Sequence, residues 1–459
     1  MKASFGSKQY YRAACTAILT LIAAGMFFFV WYRFVRVNNQ TGHLTGAGNL
    51  LMAVGLYMAL FLFFGHAIRA FKIGVERKAA TVASVLLALF LTDFSELFLS
   101  LAITGQFRFF WRFLWRYALL YVYQASVDSV LATLMIDRYR KIFPPFRVLE
   151  IYGDHKDNFF AEMNSVFYKY HIAERCHYDD ETIEEKIPLY DAVLVNDIPA
   201  EKQNDFIKLC FRMGKRLYFV PKLSDIIVKA SEELNLFDTP LYMCRNEEIP
   251  SFERAIKRIF DIVSSLLALI ILSPLLLVTA LAIKLNDGGP VFYRQERCTL
   301  GGKRFMILKF RSMIVDAEKD GRTHPAGEHD DRITKVGRVI RAARIDELPQ
   351  LINILKGDMS VVGPRPERVE HVKIYTEEIP EFQFRSKVKG GLTGYAQVYG
   401  KYNTSALDKL KLDLVYITNF SLPLDFQIIL ETLKILLRKE STEGFSENRA
   451  AEMHDHAIE

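Results

Sequence analysis

The segment IFDIVSSLLALIILSPLLLVTALAIKL, residues Ile259–Leu285, decides how this chain meets a membrane. It exceeds the ~20 apolar residues that a helix needs to cross the hydrocarbon core. Ser273-Pro274 lies near its middle. A proline there removes a backbone hydrogen bond and clashes with the preceding turn, so a sharp bend is expected. Both flanks are basic, with Arg254, Lys257 and Arg258 before the segment and Lys284 at its end. Two basic flanks suit a helix that enters one leaflet and returns, a re-entrant helix over 256–285. Backbone freed at that depth needs an internal partner, and the Ser273 hydroxyl is positioned to be one.

Working upstream, four earlier apolar runs cover Ala13 to Tyr32, Leu50 to Ala70, Ala79 to Ile103 and Phe113 to Ile136. Each is long enough to span, which predicts a four-helix transmembrane bundle over 1–142. Half of the 459 residues are hydrophobic (51%), and the 35 Phe are densest before residue 145, as lipid contact requires. Mean hydropathy is +0.10. Lys2, Lys8 and Arg12 precede the first run, Arg69, Lys72, Arg77 and Lys78 crowd the second connection, and Arg138, Arg140 and Lys141 follow the fourth. The positive-inside rule then puts both ends of the bundle in the cytoplasm, and a fifth crossing would carry the downstream basic stretch outside. The first run lacks a small-residue cleavage site and reads as an anchor. Asp93, Glu96 and Asp128 fall inside the runs, and a buried polar contact with Arg112 or Arg116 is the expected role. The five cysteines are scattered without a CxxC pair, as in a reduced, cytosol-facing protein. The formal charge of +6 comes without a nucleic-acid recognition motif, so no nucleic-acid partner is expected.

Phe143-Pro144-Pro145-Phe146 opens a soluble region. Strands are expected at Arg147 to Tyr152, Asp191 to Val195 and Arg216 to Val220, with a helix over Pro199 to Met213. This is the βαβ rhythm of a Rossmann-like middle domain, 143–250. Only Gly153 follows the first strand, and without GxGxxG no dinucleotide cofactor is expected.

Beyond the Ser-Pro segment, Lys284 through Arg344 carries 14 Lys plus Arg against 8 Asp plus Glu, a net of +6. Anionic substrates would be drawn there. Lys309 and Arg311 flank Phe310 in an expected strand and would project to one side. Arg338, Arg341 and Arg344 recur at helical spacing and would share a face. Asp346-Glu347 follows, then Leu348 to Leu355, a short helix stopped by Gly357, which places Asp346 at about the N-cap. Adjacent carboxylates can hold a divalent cation or attack phosphorus while arginines neutralise phosphate oxygens. A lone Asp-Glu pair would read as a cap and a first-turn acid, but these surroundings favour a site. His324 and His329 beside Asp330 and Asp331 read as a solvated loop. Helices over Leu407 to Asn419 and Phe426 to Leu437 fit either core packing or the membrane interface, with the interface preferred. Residues 441–459 form a polar tail.

The motifs Lys309-Phe310-Arg311-Ser312-Met313, Asp346-Glu347, Gly357-Asp358-Met359-Ser360-Val361-Val362-Gly363-Pro364-Arg365-Pro366 and Gly390-Gly391-Leu392-Thr393-Gly394 are long and ordered. Through them the chain, from about Phe252 to Lys439, resembles the bacterial sugar transferases, monotopic polyprenyl-phosphate hexose-1-phosphate transferases. The resemblance implies a membrane protein of α plus α/β class with a monotopic catalytic domain, 251–440, and the same re-entrant helix bent at Ser273-Pro274. It implies transfer of a sugar 1-phosphate from a nucleoside diphosphate sugar, a UDP-sugar above all, to undecaprenyl phosphate. The products are UMP and the lipid-linked sugar that begins exopolysaccharide, capsule or O-antigen synthesis. It assigns Asp346 as nucleophile of a covalent phospho-sugar intermediate and Glu347 as a Mg2+ contact, with Asp346 beside the metal. Lys309 and Arg341 join the catalytic set, while Arg311, Arg338 and Pro364-Arg365-Pro366 bind substrate. Asp358 is left between a metal contact and a turn cap. Arg344-Ile345 replaces the family's frequent Ser-Leu before the dyad. The site is expected on the cytoplasmic face of the bacterial inner membrane, in contact with lipid, and the added domains offer surfaces for a homodimer. The competing functions are a membrane glycosyltransferase releasing UDP and a non-catalytic membrane-anchored regulator.

Overall fold

The structure is a computed structural model that describes residues 5–38, 47–104, 107–153, 159–234, 238–244, 250–315, 332–400 and 404–436. The 441–459 tail and the His324–Asp331 loop lie outside them. The chain divides into two compact units, Met1–Val220 and Pro221–Glu459.

The first unit begins with α1 (Phe5–Asn38), α2 (Ala47–Ala67), α3 (Lys78–Thr104) and α4 (Phe110–Ile142). All four are long and apolar enough to cross a membrane. α1 packs on α2 and α4, α2 on α3, and α3 on α4. Their outer faces are greasy, with Leu51 74% and Trp111 76% exposed, while polar groups turn inward. Tyr57 on α2 donates to Asp93 Oδ1 on α3 at 3.1 Å, and Gln124 on α4 donates to the Tyr57 hydroxyl at 2.8 Å and to the Ala23 carbonyl of α1 at 2.9 Å. One hydrogen-bonded hub thus touches all four helices. The partner of Asp93 is Tyr57, not the arginine expected. Phe113, Tyr117, Leu120, Gln124 and Asp128 occupy the buried face of α4, which leaves Arg112 and Arg116 turned outward.

The same unit ends in β1 (Phe146–Tyr152), α5 (Phe159–Asn164), β2 (Tyr170–His177), α6 (Ile183–Lys186), β3 (Ala192–Asn196), α7 (Ala200–Arg212) and β4 (Arg216–Phe219). The strands form a parallel sheet in the order β2-β1-β3-β4. Every residue of β3 is buried, as a parallel strand covered on both faces requires. Glu150 is fully buried in β1, where Arg175 donates to it at 2.7 Å and Asn196 at 3.1 Å.

The second unit comprises α8 (Leu223–Lys229), the antiparallel pair β5 (Glu232–Leu234) and β6 (Leu241–Met243), and α9 (Ser251–Asp287). The hairpin β7 (Phe292–Cys298) and β8 (Arg304–Phe310) follows, then α10 (Lys335–Ala342), a 3-10 turn over Ile345–Glu347 and α11 (Gln350–Lys356). Next come β9 (Ser360–Val362), α12 (Val369–Glu378), a 3-10 segment over Pro380–Lys387, β10 (Gly391–Thr393), α13 (Tyr395–Tyr399), α14 (Ala406–Thr418) and α15 (Leu422–Leu436). Of the two alternatives for α14 and α15, core packing is seen on one face of each helix. Leu410, Leu414 and Tyr416 on α14 and Ile428 on α15 are buried and form the centre of the unit's core, and α8 packs on α14 through Ile226. Part of the charge on α15 is also internal, since Glu431 and Lys434 pair at 2.7 Å with both side chains buried.

α9 runs unbroken through Pro274. The proline cannot donate to the carbonyl of Ile270, and Ser273 Oγ donates to that oxygen instead, at 2.8 Å. Both halves of α9 pack on the same unit. Ala268 and Leu269 meet Phe305, Ile307 and Leu351, and Leu276, Ala280 and Ile283 meet Phe310 and Ile340. The opposite face, including Ile259, Val263, Ile270, Ile271, Val278 and Leu281, is exposed.

Candidate active site

The first turns of α9 fix the frame of the site. Lys257 pairs with Asp425 at 2.5 Å and donates to the Val362 carbonyl at 3.0 Å. Arg258 donates to the carbonyls of Ile354 and Leu355, at 2.6 and 2.8 Å, satisfying the C-terminal end of α11. Asp261 accepts from Ser360 Oγ at 3.0 Å and Val361 N at 2.9 Å. The helix that carries the apolar face therefore also holds β9, which leads directly into Gly363-Pro364-Arg365-Pro366. β9 and β10 are parallel and so close that a Cβ at Gly363 would lie 2.3 Å from the Lys389 carbonyl oxygen, and one at Gly391 2.1 Å from Gly363 N. Glycine is required at both positions. α11 is locked to β8 by Asn353, which accepts from Leu308 N and donates to the Met306 carbonyl, both at 2.9 Å.

Within this frame Asp346 and Glu347 lie in the 3-10 turn, just after Arg344, whose φ is +53°. The N-cap position expected for Asp346 is corrected: α11 begins at Gln350 with Pro349 as its cap. Arg344 is likewise off the expected face, because α10 ends at Ala342 and the chain reverses hand before the dyad.

Glu347 Oε1 takes both Arg365, at 2.5 Å, and Lys309, at 3.2 Å. Burial pushes the Glu347 carboxyl upward, but Arg365 and Lys309 together overcome it and hold it well below the ordinary carboxylate range. Burial lowers Lys309, opposed by Glu347. Asp346 differs: among the described residues its carboxyl makes no hydrogen bond or ion pair. Burial first, and Glu347 second, raise it above the ordinary Asp value against Lys309, Arg341 and Arg365. The neighbouring cations thus favour the charge of Glu347 rather than that of Asp346, because Glu347 holds the hydrogen bonds of Arg365 and Lys309.

Other expected site residues separate. Arg341, on α10, acts on Asp346 through its charge, whereas Arg338 is exposed. Arg311, itself buried, lies one residue past β8 and pairs with Asp287, at the end of α9, so it does not share a partner with Lys309. Pro364 and Pro366 bracket Arg365 in a cavity lined also by Thr299, Glu367, Phe382 and Arg385. Arg385 was not foreseen. It donates to Asp413 at 2.6 Å and to the Arg365 carbonyl at 3.0 Å, and so holds the loop that presents Arg365. Its acid lies 28 residues away in sequence, and no local pattern joins the two.

Among the described residues no cluster of three or more potential metal ligands exists. Two adjacent carboxylates, one without a partner, nevertheless fit a magnesium ion that takes one or two carboxylates and completes its shell with water and phosphate oxygens.

Adjacent carboxylates among Lys309, Arg341 and Arg365 suit phosphoryl chemistry, on a unit that includes an apolar helix. The sequence profile described as "Bacterial sugar transferase" matches residues 252–439. A UDP-N-acetylgalactosamine-undecaprenyl-phosphate N-acetylgalactosaminephosphotransferase of Aeromonas hydrophila is 39% identical over 254 residues, which is 54% of this chain and 59% of that protein. A UDP-glucose:undecaprenyl-phosphate glucose-1-phosphate transferase of Caulobacter vibrioides is 45% identical over 191 residues, 40% of this chain and 71% of that protein. A protein of the same description from Escherichia coli is 41% identical over 220 residues, 46% of each chain. This chain belongs to the bacterial sugar transferase family. It spans between about half and 71% of the length of these relatives.

Proposed function

We propose that this chain transfers a sugar 1-phosphate from a UDP-sugar to undecaprenyl phosphate, at the cytoplasmic face of the bacterial inner membrane. The carrying observation is the contrast within the dyad. Glu347 is bound by two cations, while Asp346 keeps its carboxyl unbonded beside them. A nucleophile must be free, and a carboxylate whose proton affinity is raised is the stronger nucleophile once ionised.

In the first half-reaction an Asp346 Oδ bonds to the phosphorus attached to the sugar. The bridging P–O bond breaks and its electron pair leaves with UMP. In the second, an oxygen of undecaprenyl phosphate bonds to the same phosphorus, and the P–O bond to Asp346 breaks, restoring the carboxylate. No net proton transfer is needed in either step. Lys309, Arg365 and Arg341 stabilise the phosphoryl oxygens as charge shifts among them. Asp346 and Glu347 would hold a magnesium ion, which supplies neutralisation of the diphosphate charge. The names of the relatives support the donor and acceptor classes.

α9 serves this chemistry as a re-entrant helix. A straight helix of 37 residues would be about 55 Å long. Its two halves pack on one charged unit, which cannot follow it across the bilayer. α1 to α4 form the transmembrane bundle. A panel of UDP-sugars offered with undecaprenyl phosphate tests the function. UMP release with at least one sugar is expected, and release of UDP would make the protein a glycosyltransferase instead.

A further inference from the structure

Near the dyad, Arg297 has no acid. It lies on β7 opposite Phe305, on the strand face shared with Tyr293 and Lys309, and it bridges to Arg368 through the backbone. Cys298 N donates to the Glu367 carbonyl at 3.1 Å, so β7 runs beside the segment that leaves Pro366. The Arg297 guanidinium donates from Nη2 to the neutral Gln295 side chain at 2.6 Å. Its Nε is shut off from solvent with no acceptor. The nearby acids are engaged elsewhere: Glu347 with Lys309 and Arg365, Asp413 with Arg385, and Glu367 with Arg385 at 3.9 Å. Burial, then Arg368 and Arg365, hold Arg297 down to about 10.

A buried donor without an acceptor is costly, and more so when charged. Such a group is explained when a ligand brings the acceptor. The missing partner here must bring an acceptor oxygen to a buried cation that has Arg365 and Arg368 beside it, and an anionic phosphoryl group meets both demands.

We infer that Arg297 is a phosphate-contacting residue, which donates to a phosphoryl oxygen of a substrate held between β7 and the Gly363–Pro366 loop. This rests on the function proposed above, because both substrates of that reaction carry phosphate. The phosphoryl group belongs either to the nucleotide diphosphate or to the lipid phosphate.

The test uses the full chain in lipid nanodiscs, with Arg297→Gln and Arg297→Lys. UDP-sugar carrying radioactive phosphate next to the sugar is given without lipid acceptor to isolate the first half-reaction. Undecaprenyl phosphate is then added to isolate the second. Arg297→Gln is expected to melt no lower than wild type without substrate, because a like-charge contact has been relieved. It is also expected to lose at least tenfold in apparent affinity for one substrate, and Arg297→Lys to recover part of that loss. Weakening of the first half-reaction places the nucleotide's phosphate on Arg297, whereas weakening confined to the chase places the lipid's phosphate there. Wild-type affinities for both substrates in Arg297→Gln and Arg297→Lys would overturn the assignment. A lower melting temperature with both affinities unchanged would also overturn it and make Arg297 a purely structural residue. Failure of wild-type protein to release UMP would instead count against the proposed function.

Discussion

At the residue scale, the dyad shows how one pair of neighbouring carboxyls acquires two characters. Glu347 accepts from two cations, so its charge is favoured despite burial; Asp346 accepts none, so burial and its neighbour decide. The raised Asp346 has a visible consequence. As the proposed nucleophile it must be ionised to attack, so the first half-reaction is expected to fall away on acidification through a pKa above the 3.8 of an ordinary aspartate. The sign follows from the direction: a raised carboxyl pKa keeps the proton longer as pH rises. A pH profile of UMP release under single-turnover conditions without lipid checks this. An acid limb above 3.8 is expected, and its loss of slope at or below that value would show a nucleophile without this environment. The dyad, Lys309 and Arg365 were legible because each sits in a contiguous motif. Arg297 and Arg385 were not, since their environment is made by β7 and by the 3-10 segment lying beside the Arg365 loop. Arg311 looked equivalent to Lys309 by alternation, but it falls past the end of β8 and is taken by Asp287.

At the scale of elements, β1, β3, β4 and α7 were readable to within about a residue, because β-branched runs and helical periodicity were unmixed there. β2 was missed: its sequence YHIAERCH alternates burial but mixes in charge. The short β5–β6 pair was missed for a similar reason, having almost no buried side chain to mark it. For α9 the sequence supplied the Ser-Pro element and the basic flanks, and the structure adds what the flanks do. Lys257, Arg258 and Asp261 pin β9 and α11, so the membrane helix is also the scaffold of the site. Its topology can be measured with Ala255→Cys and Asn286→Cys, each in a background lacking the five native cysteines. Both are expected to react with an impermeant thiol reagent from the cytoplasmic side only. Reaction from opposite sides would mean that α9 crosses the bilayer.

On the scale of the whole molecule, the two units divide the chemistry. Four apolar helices knit by Tyr57, Asp93 and Gln124, followed by a parallel sheet, make up the first. Every residue assigned to catalysis or substrate binding belongs to the second, which also holds the stretch whose net charge equals that of the entire chain. The sequence profile of the family covers residues 252–439, which fall within that unit. The central claim is that Asp346 carries the sugar phosphate between the two substrates. Full-length protein in nanodiscs is given the productive UDP-sugar, with radioactive phosphate next to the sugar and no lipid acceptor, and is quenched in acid. Label is expected to stay on the protein, map to Asp346, disappear on addition of undecaprenyl phosphate, and be absent from Asp346→Asn, whose turnover should fall by orders of magnitude. An Asp346→Asn protein that turns over at near wild-type rate, or a wild type that releases UMP only when lipid is present and never retains label, would contradict it.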